Sequence, residues 1–144
     1  MVLNDSPIFF RRLALLETDV DQDDETLLAP LRDAYYAPEK VTGDVQTQIC
    51  DWLRRYQNRL QQDGTEPAER RTRMNQINPK YVLRNYLAQL AIDKAEEGDF
   101  SLVNELLDVL RQPYDEQPGR EQFAEKRPEW ARNRPGCSML SCSS

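Results

Sequence analysis

The sequence predicts an all-α fold: a helical domain of about five helices followed by an irregular, proline-rich tail. Apolar residues recur at intervals of three and four through most of the first 112 residues, as they do on one face of a helix. Residues that start and stop helices flank these runs. No segment shows the alternation of β-branched and aromatic residues that a half-buried strand needs. We therefore expect residues 1–112 to form the helical domain and residues 113–144 to form an extended tail with a Cys/Ser-rich terminus.

Two helices are expected near the amino terminus. Residues 7–18 carry an apolar face and begin with Pro7, whose fixed φ angle suits a first helical turn. An acidic loop at residues 19–24 places negative charge at the amino-terminal end of the next helix, where the helix dipole favours it. That helix covers residues 25–36 and contains Pro30. We expect either a kink at this proline or a helix that begins there.

The clearest pattern in the chain is a long amphipathic helix that opens at Thr42 and runs to about Gln62. Its apolar positions recur at helical spacing, at Val45, Ile49, Trp52, Leu53, Tyr56 and Leu60. Gly64 follows, and glycine is the usual residue where a chain turns left-handed after a helix. A short polar helix is then expected over residues 67–76. The pair Asn78-Pro79 ends it, because a residue before proline avoids helical angles.

Two more helices complete the expected domain, at residues 80–97 and 101–110, separated by Gly98. The core is expected to be built by three helical faces, at residues 45–60, 82–95 and 102–110. Beyond Gln112, four prolines interrupt a polar stretch with few aliphatic residues. Short helices are expected there only near Phe123 and Trp130.

Size and charge limit the classes of function that the chain could have. Its 144 residues suffice for one modest core, and 39% hydrophobic and 31% charged residues are typical of soluble globular proteins. A net charge of −6 argues against a dedicated nucleic-acid binder, which neutralises phosphates with clustered Lys and Arg. No apolar run approaches the roughly 20 residues that cross a bilayer, and the first residues lack a secretory signal. We expect a cytoplasmic protein with no nucleic-acid or membrane partner.

The chain lacks the residues that most catalytic sites use. It contains no histidine, which removes the commonest general base and the Ser–His and Cys–His nucleophile pairs. Its five glycines are dispersed, so it has no phosphate-binding loop, no dinucleotide fingerprint and no kinase signature. We therefore expect no catalytic residue, no cofactor-binding residue and no metal ligand in this chain.

The remaining candidates are acidic residues and thiols. The acidic residues 21–25 lack the spacing of a calcium-binding loop, which favours a solvated loop over a metal site. Cys50 is expected to be a small buried hydrophobe. Cys137 and Cys142 are too few for a zinc site and are the candidates for redox-active thiols, on an exposed terminus.

Two further groups of residues have an ordinary and a functional interpretation. Arg84 and Asn85 lie near the start of the helix expected at residues 80–97. They fit a surface arginine and a helix-capping asparagine better than a pair that orients a partner. Aromatic residues at helical spacing on apolar faces favour core packing over base stacking, and these are Trp52, Tyr56, Tyr81 and Tyr86.

Three stretches of sequence carry a resemblance to a known family. They are residues 78–89 (NPKYVLRNYLAQ), residues 109–118 (VLRQPYDEQP), and residues 128–131 (PEWA) continuing to the terminal Cys142-Ser143-Ser144. In this order they closely resemble the carboxy-terminal part of the selenoprotein O family. Members of that family are protein adenylyltransferases (AMPylators) with a kinase-like, or pseudokinase, fold. Residues 1–70 are much less diagnostic.

The resemblance implies that the complete family protein transfers AMP from ATP to Ser, Thr or Tyr hydroxyls of proteins, with Mg²⁺ or Mn²⁺. The family's ATP-binding lysine, metal ligands and catalytic loop lie upstream and have no counterpart here, so the chain alone is expected to be inactive. Its expected partner is the kinase-like catalytic portion of the same family. Cys142 stands where some members carry selenocysteine. The family's redox regulation implies that Cys137 or Cys142 pairs with a cysteine of that portion.

The alternative from another class is an autonomous helical module that binds a protein partner through an uncovered apolar face. Self-association through such a face fits both interpretations, because a surface that normally packs on a catalytic lobe is exposed when the lobe is absent. Only the fragment interpretation requires a kinase-like partner chain.

Overall fold

The computed structural model describes residues 2–18 and 21–137, and within these ranges it is all-α. Its only β-type pairing there is an isolated bridge between Asn4 and Tyr35. The predicted fold class is therefore confirmed. The six α-helices of this part are α1 Ser6–Leu13, α2 Asp24–Leu28, α3 Gly43–Asp63, α4 Pro67–Ile77, α5 Asn85–Glu96 and α6 Ser101–Leu110. Short 3₁₀ helices lie at Ala29–Ala34, Pro38–Lys40, Glu121–Ala124 and Glu129–Ala131.

Contacts between residues divide the chain into two compact units, one up to Asn78 and one from Pro79 onward. This division differs from the boundary expected after residue 112. A grouping of contacts does not test where an independently folding domain ends, so the division into residues 1–112 and 113–144 stays a prediction. Each unit has its own hydrophobic core. The prediction that one core is shared by the faces of residues 45–60, 82–95 and 102–110 is wrong, because α3 packs in the first unit and α5 and α6 pack in the second.

The first unit closes its core between the amino-terminal helices and α3. Its buried members are Leu13, Leu16, Leu27, Leu28, Leu31, Tyr35, Val41, Cys50 and Leu53. Helix α1 is shorter than predicted because the N–H groups of Leu15 and Leu16 bond to carbonyls three residues back, which tightens the chain into a turn after Leu13. Pro30 lies at the start of the 3₁₀ helix Ala29–Ala34, as expected if a helix begins there.

The second unit is built on α5, α6 and the segment that follows them. Its buried members are Tyr81, Tyr86, Leu87, Ala91, Leu106, Val109, Phe123, Ala131 and Cys137. Helix α5 begins at Asn85 and not at Lys80, because the N–H groups of Lys80 and Tyr81 both donate to the carbonyl of Pro113, at 2.8 and 3.1 Å. Both short helices expected near Phe123 and Trp130 are present as 3₁₀ helices. The segment after residue 112 therefore takes part in the core of this unit.

Candidate functional site

Cys137, one of the two predicted redox thiols, lies in the core of the second unit. Its side chain is 0% exposed, and its N–H donates to the carbonyl of Arg134 at 3.1 Å. The expectation of an exposed terminal thiol is therefore wrong for Cys137, because Phe123 and Ala131 of the same segment form part of its surroundings in the core. Cys142 lies outside the described residues. A redox role for either thiol stays a prediction.

Polar contacts hold the segment before Cys137 against α5. Arg134 forms an ion pair with Asp93, and Gln89 donates from Nε2 to the same carboxylate at 2.8 Å. These hydrogen bonds, first from Gln89 and then from Arg134, lower the pKa of Asp93 below its usual value. The guanidinium of Arg134 also lies over the ring of Trp130, 5.8 Å from its centroid. The sequence alone did not predict these contacts among Gln89, Asp93 and Arg134. The only signal for them was the i, i+4 spacing of Gln89 and Asp93.

The residue next to the thiol is a glycine in close contact with the same group. Gly136 has a φ of +84°, and a Cβ atom placed on it would lie 2.1 Å from Oε1 of Gln89. Only glycine fits both this backbone angle and this distance without a shift of the neighbouring side chain. A side chain at this position would strain the backbone next to Cys137 and displace the end of the Gln89 side chain.

Cys50 is buried in the first unit, as predicted. Its side chain is fully covered, its Sγ–H donates to the carbonyl of Asp24 at 3.6 Å, and burial raises the pKa of its thiol. A raised pKa lowers the fraction of reactive thiolate at neutral pH. Cys50 is therefore a packing residue and a poor nucleophile.

Three of the acidic residues in the range 21–25 are engaged by protein groups. Asp23 caps α2 by accepting from the N–H of Thr26 at 2.8 Å, and this backbone hydrogen bond lowers its pKa. Asp24 and Glu25 form ion pairs with arginines, Arg54 at 2.6 Å and Arg32 at 2.9 Å respectively. Across residues 2–18 and 21–137, no three His, Cys, Asp or Glu side chains come together as a metal site would require.

The described residues do not fit ATP with a divalent metal. A nucleotide phosphate site needs neighbouring backbone amides, usually from clustered glycines, together with carboxylates that hold the metal. The glycines here are separated along the chain, and Gly64, for example, follows the end of α3 in a left-handed turn. We therefore derive no chemical step through ATP or a metal in this chain. The predicted absence of catalytic, cofactor-binding and metal residues stays a prediction.

Arg84 and Asn85 occupy the start of α5 in a way that the sequence did not suggest. Arg84 is only 3% exposed, so its interpretation as a surface arginine is wrong. Asn85 is the first residue of the helix, and no side chain caps that end, so the interpretation of Asn85 as a cap is also wrong. Tyr81 and Tyr86 are buried, as core packing requires, whereas Trp52 of α3 is exposed over 41% of its surface.

None of the helices formed by the described residues combines the length and apolar character needed to cross a bilayer. This agrees with the absence of a long apolar run in the sequence.

Comparison with known proteins relates the chain to one family. The sequence model of the family described as "Protein adenylyltransferase SelO" matches residues 4–111. Among curated relatives, the "Protein nucleotidyltransferase YdiU" of Rhodopirellula baltica is 59% identical over 97% of this chain and 27% of its own length. The proteins of the same name from Aromatoleum aromaticum and Tolumonas auensis are 56% and 55% identical, each over 97% of this chain and 26% of their own length. The chain spans about a quarter of the length of these relatives, and it belongs to the SelO family of protein nucleotidyltransferases.

Proposed function

We propose that this chain is the carboxy-terminal helical segment of a SelO-type protein adenylyltransferase. In this proposal the kinase-like catalytic portion binds ATP and Mg²⁺ or Mn²⁺ and transfers AMP to Ser, Thr or Tyr hydroxyls of other proteins. The helical segment has no such activity alone. One observation carries the proposal: the chain matches the Rhodopirellula baltica relative over 97% of its own length but over only 27% of that protein. The transfer chemistry then belongs to the part of the family protein that lies outside the match.

The role of the segment in this proposal is structural. The core of the second unit and the polar contacts between α5 and Arg134 support the view that this unit is braced internally and can pack against a catalytic lobe. Cys50 and Cys137 are free thiols, which is usual in the reducing cytoplasm and supports a cytoplasmic location.

Titration calorimetry with ATP and Mg²⁺ tests this division of labour. The purified chain is expected to give no saturable heat at millimolar nucleotide, because its described residues offer neither a phosphate loop nor a metal site. The full-length Rhodopirellula baltica relative is the matched control and is expected to bind under the same conditions. Saturable micromolar binding by the 144-residue chain would contradict the proposal.

The regulatory part of the proposal concerns the terminal thiols. We propose that Cys142 is the thiol that exchanges with disulfides and pairs with a cysteine of the catalytic portion, while Cys137 stays protected. Two points support this choice: the resemblance of the Cys142 position to the family's selenocysteine position, and the complete burial of Cys137. Buried thiols are poor partners in exchange because the attacking thiolate must reach a disulfide sulfur.

Treatment of the chain with oxidised glutathione is expected to place one glutathione on Cys142. The Cys142 thiolate attacks the disulfide, forms a mixed disulfide and releases one glutathione thiol. Peptide mass mapping locates the adduct, and a Cys142→Ser variant is the control. An adduct on Cys137 or Cys50 with none on Cys142 would show that the wrong thiol has been chosen.

A further inference from the structure

Helix α6 carries more apolar surface than the core of its own unit covers. Leu106 and Val109 are buried in that core. Three large apolar residues remain exposed. Phe100 caps the amino-terminal end of the helix and is exposed over 58% of its surface. Val103 and Leu107 lie within the helix and are exposed over 40% and 50% of their surfaces. Exposed apolar residues are ordinary when they are scattered singly, but adjacent ones mark interaction surfaces.

These three residues form one stripe. They are spaced by three and four positions, which places them on one side of a helix. From Phe100 to Leu107 the stripe is about 10 Å long at the rise of an α-helix. The stripe borders the side of α6 that carries Leu106. The apolar face of the helix is therefore wider than the part that is buried in the core of the second unit.

Charged side chains border the stripe. Asp99 precedes it, and Asp108 lies beside it. Glu105 lies two positions from both Val103 and Leu107, which places it on the opposite side of the helix. The carboxylate of Asp99 accepts from the N–H of Ser101 at 2.9 Å, and hydrogen bonds from Ser101 lower its pKa, so it is ionised at neutral pH. Arg111 offsets one of these charges by pairing with Asp108 at 3.1 Å. Lys94 also acts on Asp99, so the border carries no net negative charge.

We propose that this stripe docks on an apolar surface in the part of the SelO-family polypeptide outside the matched quarter. The inference rests on the proposed function. We infer this docking partner from the relatives, because about three quarters of their length has no counterpart in this chain. A second copy of this chain is the competing occupant, and the dependence of labelling on dilution distinguishes it in the test.

Thiol labelling compares the stripe in the short chain and in a longer family protein. The test uses Leu107→Cys, with Glu105→Cys as the control, because Glu105 is exposed on the opposite side of the same helix. Equivalent substitutions are made in the full-length Rhodopirellula baltica relative, and peptide-resolved mass spectrometry follows each site. At the Leu107 site, labelling is expected to be at least about tenfold slower in the relative than in the short chain, as for a site that must open before it reacts. The Glu105 site is expected to label at similar rates in both.

Equal, rapid labelling of the Leu107 site in both proteins would overturn the docking proposal. Slow labelling in the short chain that speeds up on dilution would overturn it in favour of a second copy. Neither result alters the ATP titration, so failure of the docking proposal is distinguishable from failure of the proposed function.

Discussion

Replacing Tyr81 with alanine is expected to lower the free energy of unfolding of the second unit by about 3–5 kcal/mol, the usual cost of deleting a buried aromatic ring. Tyr81 is 1% exposed and belongs to the core that contains Phe123 and Cys137. Its hydroxyl donates to the carbonyl of Gln117 at 3.4 Å, and its N–H donates to Pro113. The ring therefore connects the start of α5 with the segment that follows α6.

Urea unfolding followed by tryptophan fluorescence measures this loss. The chain has two tryptophans, and Trp130 lies in the second unit, so a Trp52→Phe background leaves one reporter in that unit. Tyr81→Phe is the matched control. It keeps the ring and removes only one long hydrogen bond, so it is expected to cost about 0.5–1 kcal/mol. If the alanine variant costs no more than the phenylalanine variant, the ring does not hold this unit together.

The helices that the sequence predicted best are those with strong local signals. Helix α3 begins and ends within two residues of the expected positions, and α4 and α6 match their expected ranges closely. In each case the apolar period or the flanking proline or glycine acts within a few residues, so no distant contact is needed to define the element. The amphipathic pattern of α3 also predicts Leu53 as a core residue, and Cys50 is expected to be buried as a small hydrophobe; both are buried.

Distant contacts explain where the sequence failed. The start of α5 shifts to Asn85 because Lys80 and Tyr81 give their N–H groups to Pro113, more than thirty residues away. Nothing in the local pattern signals that acceptor. The apolar spacing of α3 and of α5 predicts a buried face on each helix. Periodicity does not tell which faces pack together, so the sequence predicts one shared core where the structure has two.

The candidate site shows the same limit. The sequence and its family resemblance indicate Cys137 and Cys142, but Cys137 is buried in a core that also contains Phe123 and Ala131, from a segment without helical period. Arg84 was interpreted as a surface residue because arginine is almost never fully buried. Its burial follows from the tertiary packing around the start of α5, which the sequence does not encode as a pattern.

Gly136→Ala is expected to lower the free energy of unfolding of the second unit by about 2–3 kcal/mol. A left-handed backbone angle costs an alanine about 1–2 kcal/mol, and the φ of Gly136 is +84°. The new Cβ also displaces Gln89, whose hydrogen bond to Asp93 is worth about 1 kcal/mol. The measurement is the same urea unfolding curve, read from Trp130.

Gly119→Ala separates the two causes. Gly119 has nearly the same angle, with a φ of +85°, but no atom lies within 4 Å of the position that an added Cβ would take, so only the backbone strain remains. Gly136→Ala is therefore expected to cost about 1 kcal/mol more than Gly119→Ala. Adding Gln89→Ala to both variants is expected to abolish this difference, because the displaced side chain and its hydrogen bond are then absent. Equal losses for the two glycine variants with Gln89 present would show that the contact with Gln89 is unimportant.

The same variant links packing to thiol chemistry. If the segment that holds Cys137 is loosened, labelling of Cys137 is expected to rise by about tenfold or more, since 1.4 kcal/mol of lost protection corresponds to a factor of ten. Cys50 lies in the other unit and serves as the internal reference. A rise confined to Cys137 would mean that its reactivity is governed by the docking of the segment on α5, whereas equal rises at both thiols would point to global unfolding. In the first case, breaking the ion pair between Arg134 and Asp93 is also expected to increase the reactivity of Cys137.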